Sequence, residues 1–169
     1  MKQNKTMSIM FLGMFVFYVI LLISALFLRV EMESTSVNLI PFKSIAEGIS
    51  YQFVDVQVWG NVVLFIPLGI YLMILGKKSS VPKALLTIFL SSLGIEVIQY
   101  VFRIGASDVD DLLLNCLGGI LGILIYWVLE KWLKTKEKVK RTVTVMSFCV
   151  GVPLLIITVL LFYVNYVNQ

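Results

Sequence analysis

Five long apolar runs divide this chain, and they constrain its fold more than any other feature. The runs cover about residues 8–28, 58–75, 84–102, 112–129 and 143–164. About 20 apolar residues are enough to cross a bilayer as a helix, and a helix satisfies its own backbone hydrogen bonds in lipid. The mean hydropathy of +0.96 and a charged fraction of only 14% exclude a disordered chain. The sequence therefore predicts an all-α, polytopic membrane protein with five transmembrane helices, in a single membrane domain over residues 1–169.

The basic residues indicate how these helices are oriented. All but three of the 14 Lys and Arg residues lie in the N-terminal tail, after the second run, or in the Lys-rich stretch 131–141. The three exceptions, Arg29, Lys43 and Arg103, would lie on the other side with most of the acidic residues. Because Lys and Arg in short loops stay on the cytoplasmic side, we expect a cytoplasmic N-terminus and an external C-terminus. The 131–141 stretch is then expected to be a solvated cytoplasmic connection that meets anionic lipid.

The net charge of +4 could suggest a nucleic-acid partner. However, the basic residues form short clusters between apolar runs, with no soluble module around them. We therefore expect membrane lipids or lipid-linked envelope components as partners, and no nucleic acid. The sequence leaves the oligomeric state open.

The third run carries ionisable side chains where they are costly. Glu96, Gln99 and Arg103 follow offsets of 3 and 7, which places them on one face of a helix. At 1.5 Å per residue, Glu96 would lie about 10 Å below the outer surface. A carboxylate at that depth is an expensive choice for packing alone and is by default a candidate functional group.

The fourth run continues this pattern with an acidic start and a glycine face. Asp108, Asp111 and Asn115 share one stripe, which continues to Gly118 and Gly122. An acidic residue at a helix N-terminus is a good cap and complements the macrodipole. The Gly-x-x-x-Gly spacing allows a second helix to approach closely, within the chain or from another copy.

The short turn between the third and fourth runs makes the two helices antiparallel neighbours, so their polar stripes can meet. We therefore predict one external pocket that gathers polar side chains from several helices and from the loop before the second run. The alternative is that these side chains only cap helices and hold them together, each with about 1 kcal/mol. The predicted pocket residues are Asn38, Asn61, Glu96, Gln99, Arg103, Asp108, Asp110, Asp111 and Asn115.

The residue types restrict the chemistry of such a pocket. The chain has no His, which excludes His-based catalysis and His-ligated zinc. Cys116 and Cys149 fall near opposite ends of their helices, so no disulfide is expected. A hard, oxygen-ligated cation such as Mg²⁺ or Ca²⁺ remains a possible cofactor, although Asp-x-Asp-Asp fits no standard calcium loop. The sequence does not identify a metal ligand set.

Four blocks of sequence, in order, carry a resemblance to a known family. They are Asn38-Leu-Ile-Pro-Phe42, Gly60-Asn-Val-Val-Leu-Phe-Ile-Pro-Leu-Gly69, Glu96-Val-Ile-Gln99, and Arg103-x-Gly-Ala-Ser-Asp-x-Asp-Asp-x-x-x-Asn-x-x-Gly-Gly119. Together they resemble the VanZ-like membrane family, with a family core at about residues 38–130. The resemblance implies a multi-pass protein of the bacterial plasma membrane with a part in resistance to teicoplanin and related lipoglycopeptides in Gram-positive bacteria. It implies no defined biochemical activity.

Three functions are compatible with these residues. In the first, the pocket binds a lipid headgroup or a lipid-linked envelope component, with Arg103 meeting phosphate and the carboxylates orienting an amine or a sugar. In the second, the protein is an enzyme acting on a lipid-linked phosphate or sugar. Its catalytic residues would be Glu96, as general acid or base, with Asp108 and Asp111. These two aspartates and Asp110 would hold a divalent cation against the lipid phosphate. In the third, Glu96 is the titrating group of a proton-coupled lipid transporter.

Overall fold

The computed structural model describes residues 5–27, 37–43, 46, 56–76, 81–102 and 107–167. In this part of the chain there are five helices and two very short strands. They are α1 (Lys5–Phe27), β1 (Val37–Asn38), α2 (Val56–Leu75), α3 (Val81–Phe102), β2 (Ser107–Asp108), α4 (Val109–Leu133) and α5 (Lys136–Val167). The prediction of an all-α protein is confirmed.

Four of the described helices are long and apolar enough to cross a membrane. They are α1 over Lys5–Ser24, α3, α4, and α5 over Lys136–Leu160. The apolar part of α2, Trp59–Leu75, is shorter. These lengths and compositions fit a membrane protein.

Helices α2 and α4 run parallel and are packed backbone to backbone. A Cβ atom on Gly118 would collide with the Val62 carbonyl, and one on Gly122 would collide with the Ile66 carbonyl. On α2, a Cβ atom on Gly69 would meet the Gly119 carbonyl of α4 in the same way. The glycine face of α4 is therefore used within the chain, which decides an alternative that the sequence left open.

Helix α3 lies antiparallel to α4, as the short turn predicted. Ile88 of α3 packs where a Cβ on Gly119 would be, and Ser92, further along α3, is hydrogen-bonded to Asn115 of α4. The contact continues to the end of α3, where Glu96 reaches β2. The polar stripes of the two helices therefore face each other.

Helices α1 and α5 complete the bundle on the other side of α2. The rings of Phe11, Phe15 and Tyr18 surround Tyr71 of α2, with centroids 5.1–5.6 Å apart. The Tyr71 hydroxyl shares a hydrogen bond of 2.8 Å with Ser147 of α5. This aromatic cluster forms the centre of the apolar core.

The connection between α4 and α5 is much shorter than we expected. Helix α4 ends at Leu133, Lys134 adopts a left-handed conformation with φ 66°, and α5 already begins at Lys136. The expectation of a connection over 131–141 is wrong, since the stretch is helical apart from two residues. Lys136 and Lys140 are also directed into the protein, where they donate hydrogen bonds to the Gly76 carbonyl and to Ser8 Oγ.

Candidate functional site

The start of α4 is organised by two aspartates. Asp108 is the N-cap, and its Oδ1 accepts a hydrogen bond of 2.9 Å from the Asp110 amide, so one of the aspartates caps the helix as predicted. Asp110 and Asp111 lie in the first turn, where negative charge complements the macrodipole. Asp110 is only 1% exposed, and its Oδ1 accepts a hydrogen bond of 2.5 Å from the Phe42 amide. The helix start therefore binds the preceding loop as well as its own first turn.

Glu96 connects the end of α3 to this helix start. Its side chain is only 7% exposed, and Oε2 accepts two hydrogen bonds, one of 3.1 Å from Ser107 Oγ and one of 3.0 Å from the Asp108 amide. Among the described residues, the charged groups that act on it are Asp111 and Asp108, both acidic. Glu96 thus holds β2 in place in a region of negative charge.

The loop before α2 joins the same network through β1. Val37 and Asn38 pair in parallel with Ser107 and Asp108 of β2. The Asn38 side chain donates a hydrogen bond of 3.0 Å from Nδ2 to Asp108 Oδ1, and its own Oδ1 accepts one of 3.1 Å from the Ile40 amide. Asn38 therefore connects the loop before α2 to the N-cap of α4.

A second polar layer lies one helical turn deeper. Asn115 is 1% exposed, and its Nδ2 donates a hydrogen bond of 3.0 Å to the fully buried Ser92 Oγ. Within the described ranges, the buried atom Asn115 Oδ1 has no hydrogen-bond partner. The same holds for the buried Gln99 Oε1, which lies on the other side of Glu96, one turn closer to the end of α3. Asn61 of α2 is also buried, next to the Val62–Gly118 contact. A buried amide oxygen without a partner carries a cost, which a hydrogen-bond donor of a bound ligand would remove.

The structure thus brings most of the predicted pocket residues to one end of the α3–α4 pair. Asn38, Glu96, Asp108 and Asp110 are linked by hydrogen bonds, directly or through the backbone of β2 and of the loop. Asp111 acts on Glu96 through its charge. Asn115 lies one turn further into α4, Asn61 is on α2, and Gln99 lies one turn beyond Glu96, toward the end of α3. Arg103 lies outside the described residues.

Two serines take part that the set of predicted pocket residues lacks. Ser92 lies four residues before Glu96 on the same helical face, a spacing that points to it. Ser107 binds Glu96 only because it precedes the N-cap of α4 and pairs with β1, and no periodicity in the sequence signals that arrangement.

The described residues give no support to a metal centre at this site. Within them, no three His, Cys, Asp or Glu side chains are grouped so that they could hold a metal ion. One oxygen of Asp108 and one of Asp110 already accept hydrogen bonds from the chain.

Cys116 and Cys149 are both free thiols, as expected.

Comparison with known proteins identifies the family of this chain. The model of the VanZ/LLP1 family matches residues 15–130. Protein VanZ of Enterococcus faecium is 33% identical over 137 residues, a match that covers 78% of this chain and 76% of that protein. No solved structure matches. Because the family model covers more than half of the chain and includes every residue of the α3–α4 site, the protein belongs to the VanZ/LLP1 family.

Proposed function

We propose that this protein is a multi-pass protein of the bacterial plasma membrane with five transmembrane helices. Its polar site would face outward and bind a lipid headgroup or a lipid-linked component of the cell envelope. Because the site holds that component, teicoplanin and related lipoglycopeptides would have less access to the membrane surface. The family resemblance implies the resistance, and the polar site of α3 and α4 is where this chain would bind the component.

The contacts at the end of the bundle opposite the site support its outward orientation. The hydrogen bonds from Lys140 to Ser8 and from Lys136 to Gly76 bring the start of α1, the end of α2 and the start of α5 to one end. This end carries most of the Lys and Arg residues, so the positive-inside rule assigns it to the cytoplasm. The opposite end, with Glu96, then faces outward, and the N-terminus is cytoplasmic and the C-terminus external.

The observation that carries the proposal is the environment of Glu96. A buried carboxylate among acidic neighbours is costly unless it is protonated or paired with a cation. The amine of a lipid headgroup or of an envelope component would supply such a partner. The oxygens of Asn115 and Gln99, one turn to either side of Glu96, could accept hydrogen bonds from other donor groups of the same ligand. Arg103, on the same face of α3 by sequence spacing, would meet the phosphate of the same ligand.

Replacing Glu96 by Gln tests this proposal, because Gln still accepts hydrogen bonds from Ser107 and Asp108 but cannot be charged. We expect Glu96→Gln to lose both the teicoplanin resistance and the lipids that copurify with the protein in native mass spectrometry. Glu130→Gln is the matched control, since Glu130 lies near the other end of α4 and accepts a hydrogen bond of 2.9 Å from Tyr126. Full resistance and unchanged lipids in Glu96→Gln, at equal membrane abundance, would refute the proposal.

Lipid profiling of cells with and without the protein separates binding from the other two functions. Binding alone predicts the same lipid and envelope species in both, with altered antibiotic binding at the surface. A new or missing species would indicate a reaction, and a redistribution of one lipid between the leaflets would indicate transport. Either result would replace the binding proposal.

A further inference from the structure

A short apolar segment beside the site is exposed although it contains large side chains. Leu39 is 76% exposed, Ile40 63% and Phe42 64%. We call residues 39–42 the apolar loop. Exposed apolar side chains that occur singly are ordinary, whereas a contiguous group of them indicates a binding surface.

The apolar loop is held in this exposed position by hydrogen bonds to its backbone. The Ile40 amide donates to Asn38 Oδ1, and the Phe42 amide donates to Asp110 Oδ1. Asn38 is itself bound to the N-cap Asp108. Phe42 adopts a left-handed conformation with φ 66°, which a residue with a Cβ atom takes up only when its surroundings impose it. The outward direction of the side chains is therefore a built feature of the fold.

Further exposed apolar side chains lie at the same end of the bundle as the apolar loop. The last turn of α3 presents Tyr100, Val101 and Phe102, all exposed, and β2, which follows it in the chain, is paired with β1. In a membrane protein, exposed apolar side chains near a helix end face the lipid. Trp59, near the start of α2 and on the same end of the bundle, is also exposed, and Trp is enriched where bilayer and water meet.

The positive charge of Lys43 also favours lipid as the partner of the apolar loop. Lys43 directly follows the apolar loop and is exposed, with its amide bound to the Ile40 carbonyl at 3.4 Å. A Lys next to apolar side chains at a membrane surface extends its ammonium group to the level of the lipid phosphates. The sequence Leu-Ile-Pro-Phe-Lys thus combines apolar contact and a cation in one short segment.

We infer that the apolar loop is inserted into the external leaflet, at the boundary between headgroups and acyl chains, with Lys43 at the phosphates. This inference goes beyond ligand binding at Glu96, because it concerns a contact with bulk lipid that needs no specific ligand. Insertion of the apolar loop would also fix the depth of the Glu96 site in the membrane. The Phe42 amide of the apolar loop binds Asp110, and the Ile40 amide binds Asn38, which in turn binds Asp108. The Asp108 amide binds Glu96, so contact with the leaflet reaches the site through one network.

Site-directed fluorescence in lipid nanodiscs tests the inference. In a background with Cys116→Ala and Cys149→Ala, the variants Ile40→Cys, Tyr100→Cys and Lys138→Cys are each labelled with a dye that emits further to the blue in lipid. Tyr100 is the lipid-facing control at the same end, and Lys138 is the exposed control at the opposite end. The nanodiscs contain phosphatidylglycerol and phosphatidylcholine, with or without a lipid that carries a nitroxide near its headgroup.

We expect the label at position 40 to behave like the label at position 100. Both should emit further to the blue than the label at position 138 and lose emission to the nitroxide lipid, whereas iodide in solution should quench only position 138. If position 40 follows position 138, the apolar loop is in water and the inference is wrong. If neither quencher reaches position 40, protein covers it, and the inference is equally wrong.

Two further measurements keep the test decisive. Where Ile40→Cys does not give a monodisperse protein, Leu39→Cys reports on the same loop. The label at position 40 is also measured with Glu96→Gln present. Since that change leaves the hydrogen bonds of the apolar loop in place, the quenching should be unchanged even if ligand binding at Glu96 is lost. Failure of the proposed ligand binding and failure of the lipid contact are therefore distinguishable.

Discussion

The close contact between α2 and α4 makes a sharp prediction for Gly122→Ala. A methyl group at this position would be directed at the Ile66 carbonyl oxygen and close to the Gly69 Cα of α2. Both obstacles belong to the backbone, so no side chain can rotate away to make room. The two helices would have to separate along the contact that also positions Asn61.

The expected loss of stability follows from two opposing effects. Adding a group to a tightly packed interior costs about 1–3 kcal/mol, and rigid backbone obstacles place this case near the upper value. Alanine favours a helix over glycine by about 1 kcal/mol, which offsets part of this cost. The net loss is then about 2 kcal/mol, or about 4–8 °C in the midpoint of thermal unfolding for a chain of this size.

Gly94→Ala is the matched control. Gly94 lies inside α3, and nothing lies within 4 Å of the place where its Cβ would be. The same chemical change should therefore leave the midpoint unchanged or raise it. The midpoints are measured on purified protein in one detergent, from the monodisperse fraction that remains after heating. Equal midpoints for Gly122→Ala and Gly94→Ala would show that the helices are not in backbone contact, and the reasoning would fail.

Two further predictions concern the polar network. Asp108→Ala removes the N-cap and the partner of Asn38, so it should cost about 1 kcal/mol or more, whereas Asp108→Asn keeps a capping oxygen and should unfold near the wild-type midpoint; equal losses in both would contradict the capping role. Ser92→Ala and Asn115→Ala each break the same buried hydrogen bond, so their combination should cost less than the sum of the single changes by about 0.5–3 kcal/mol. Strict additivity in this double-mutant cycle would show that the two side chains do not interact.

The sequence is sufficient to predict that the polar faces of α3 and α4 meet. The spacing of Ser92 and Glu96 defines one face of α3, and that of Asp111 and Asn115 defines one face of α4. Because the turn between α3 and α4 is short, the two helices bury these faces by packing against each other in antiparallel orientation. The hydrogen bonds from Asn115 to Ser92 and from Asp108 to Glu96 follow from this register.

Other features depend on contacts that leave no periodic signal. The β1–β2 pair has two residues on each side, too few for an alternating pattern. The Lys residues at the start of α5 favour the prediction of a solvated connection. However, Lys is a good helix former, and its long stem can reach another helix. Lys140 does so, since its ammonium group binds Ser8 and lies 5.2 Å from the centre of the Phe11 ring.

The glycine contact and the polar site depend on each other. Lipid gives helices no hydrophobic reason to associate, so close packing and hydrogen bonds must hold them together. Along α4, hydrogen-bonding groups come first, from Asp108 to Asn115, and the closely packed glycines Gly118 and Gly122 follow. The glycines bring α2 to backbone contact and contribute no polar group, so they form a rigid base. The first turns of α4 can then hold costly carboxyl and amide groups in fixed positions, as the proposed binding of an external donor requires. A substitution that separates α2 from α4 should therefore weaken the proposed teicoplanin resistance even though it leaves every polar side chain of the site unchanged.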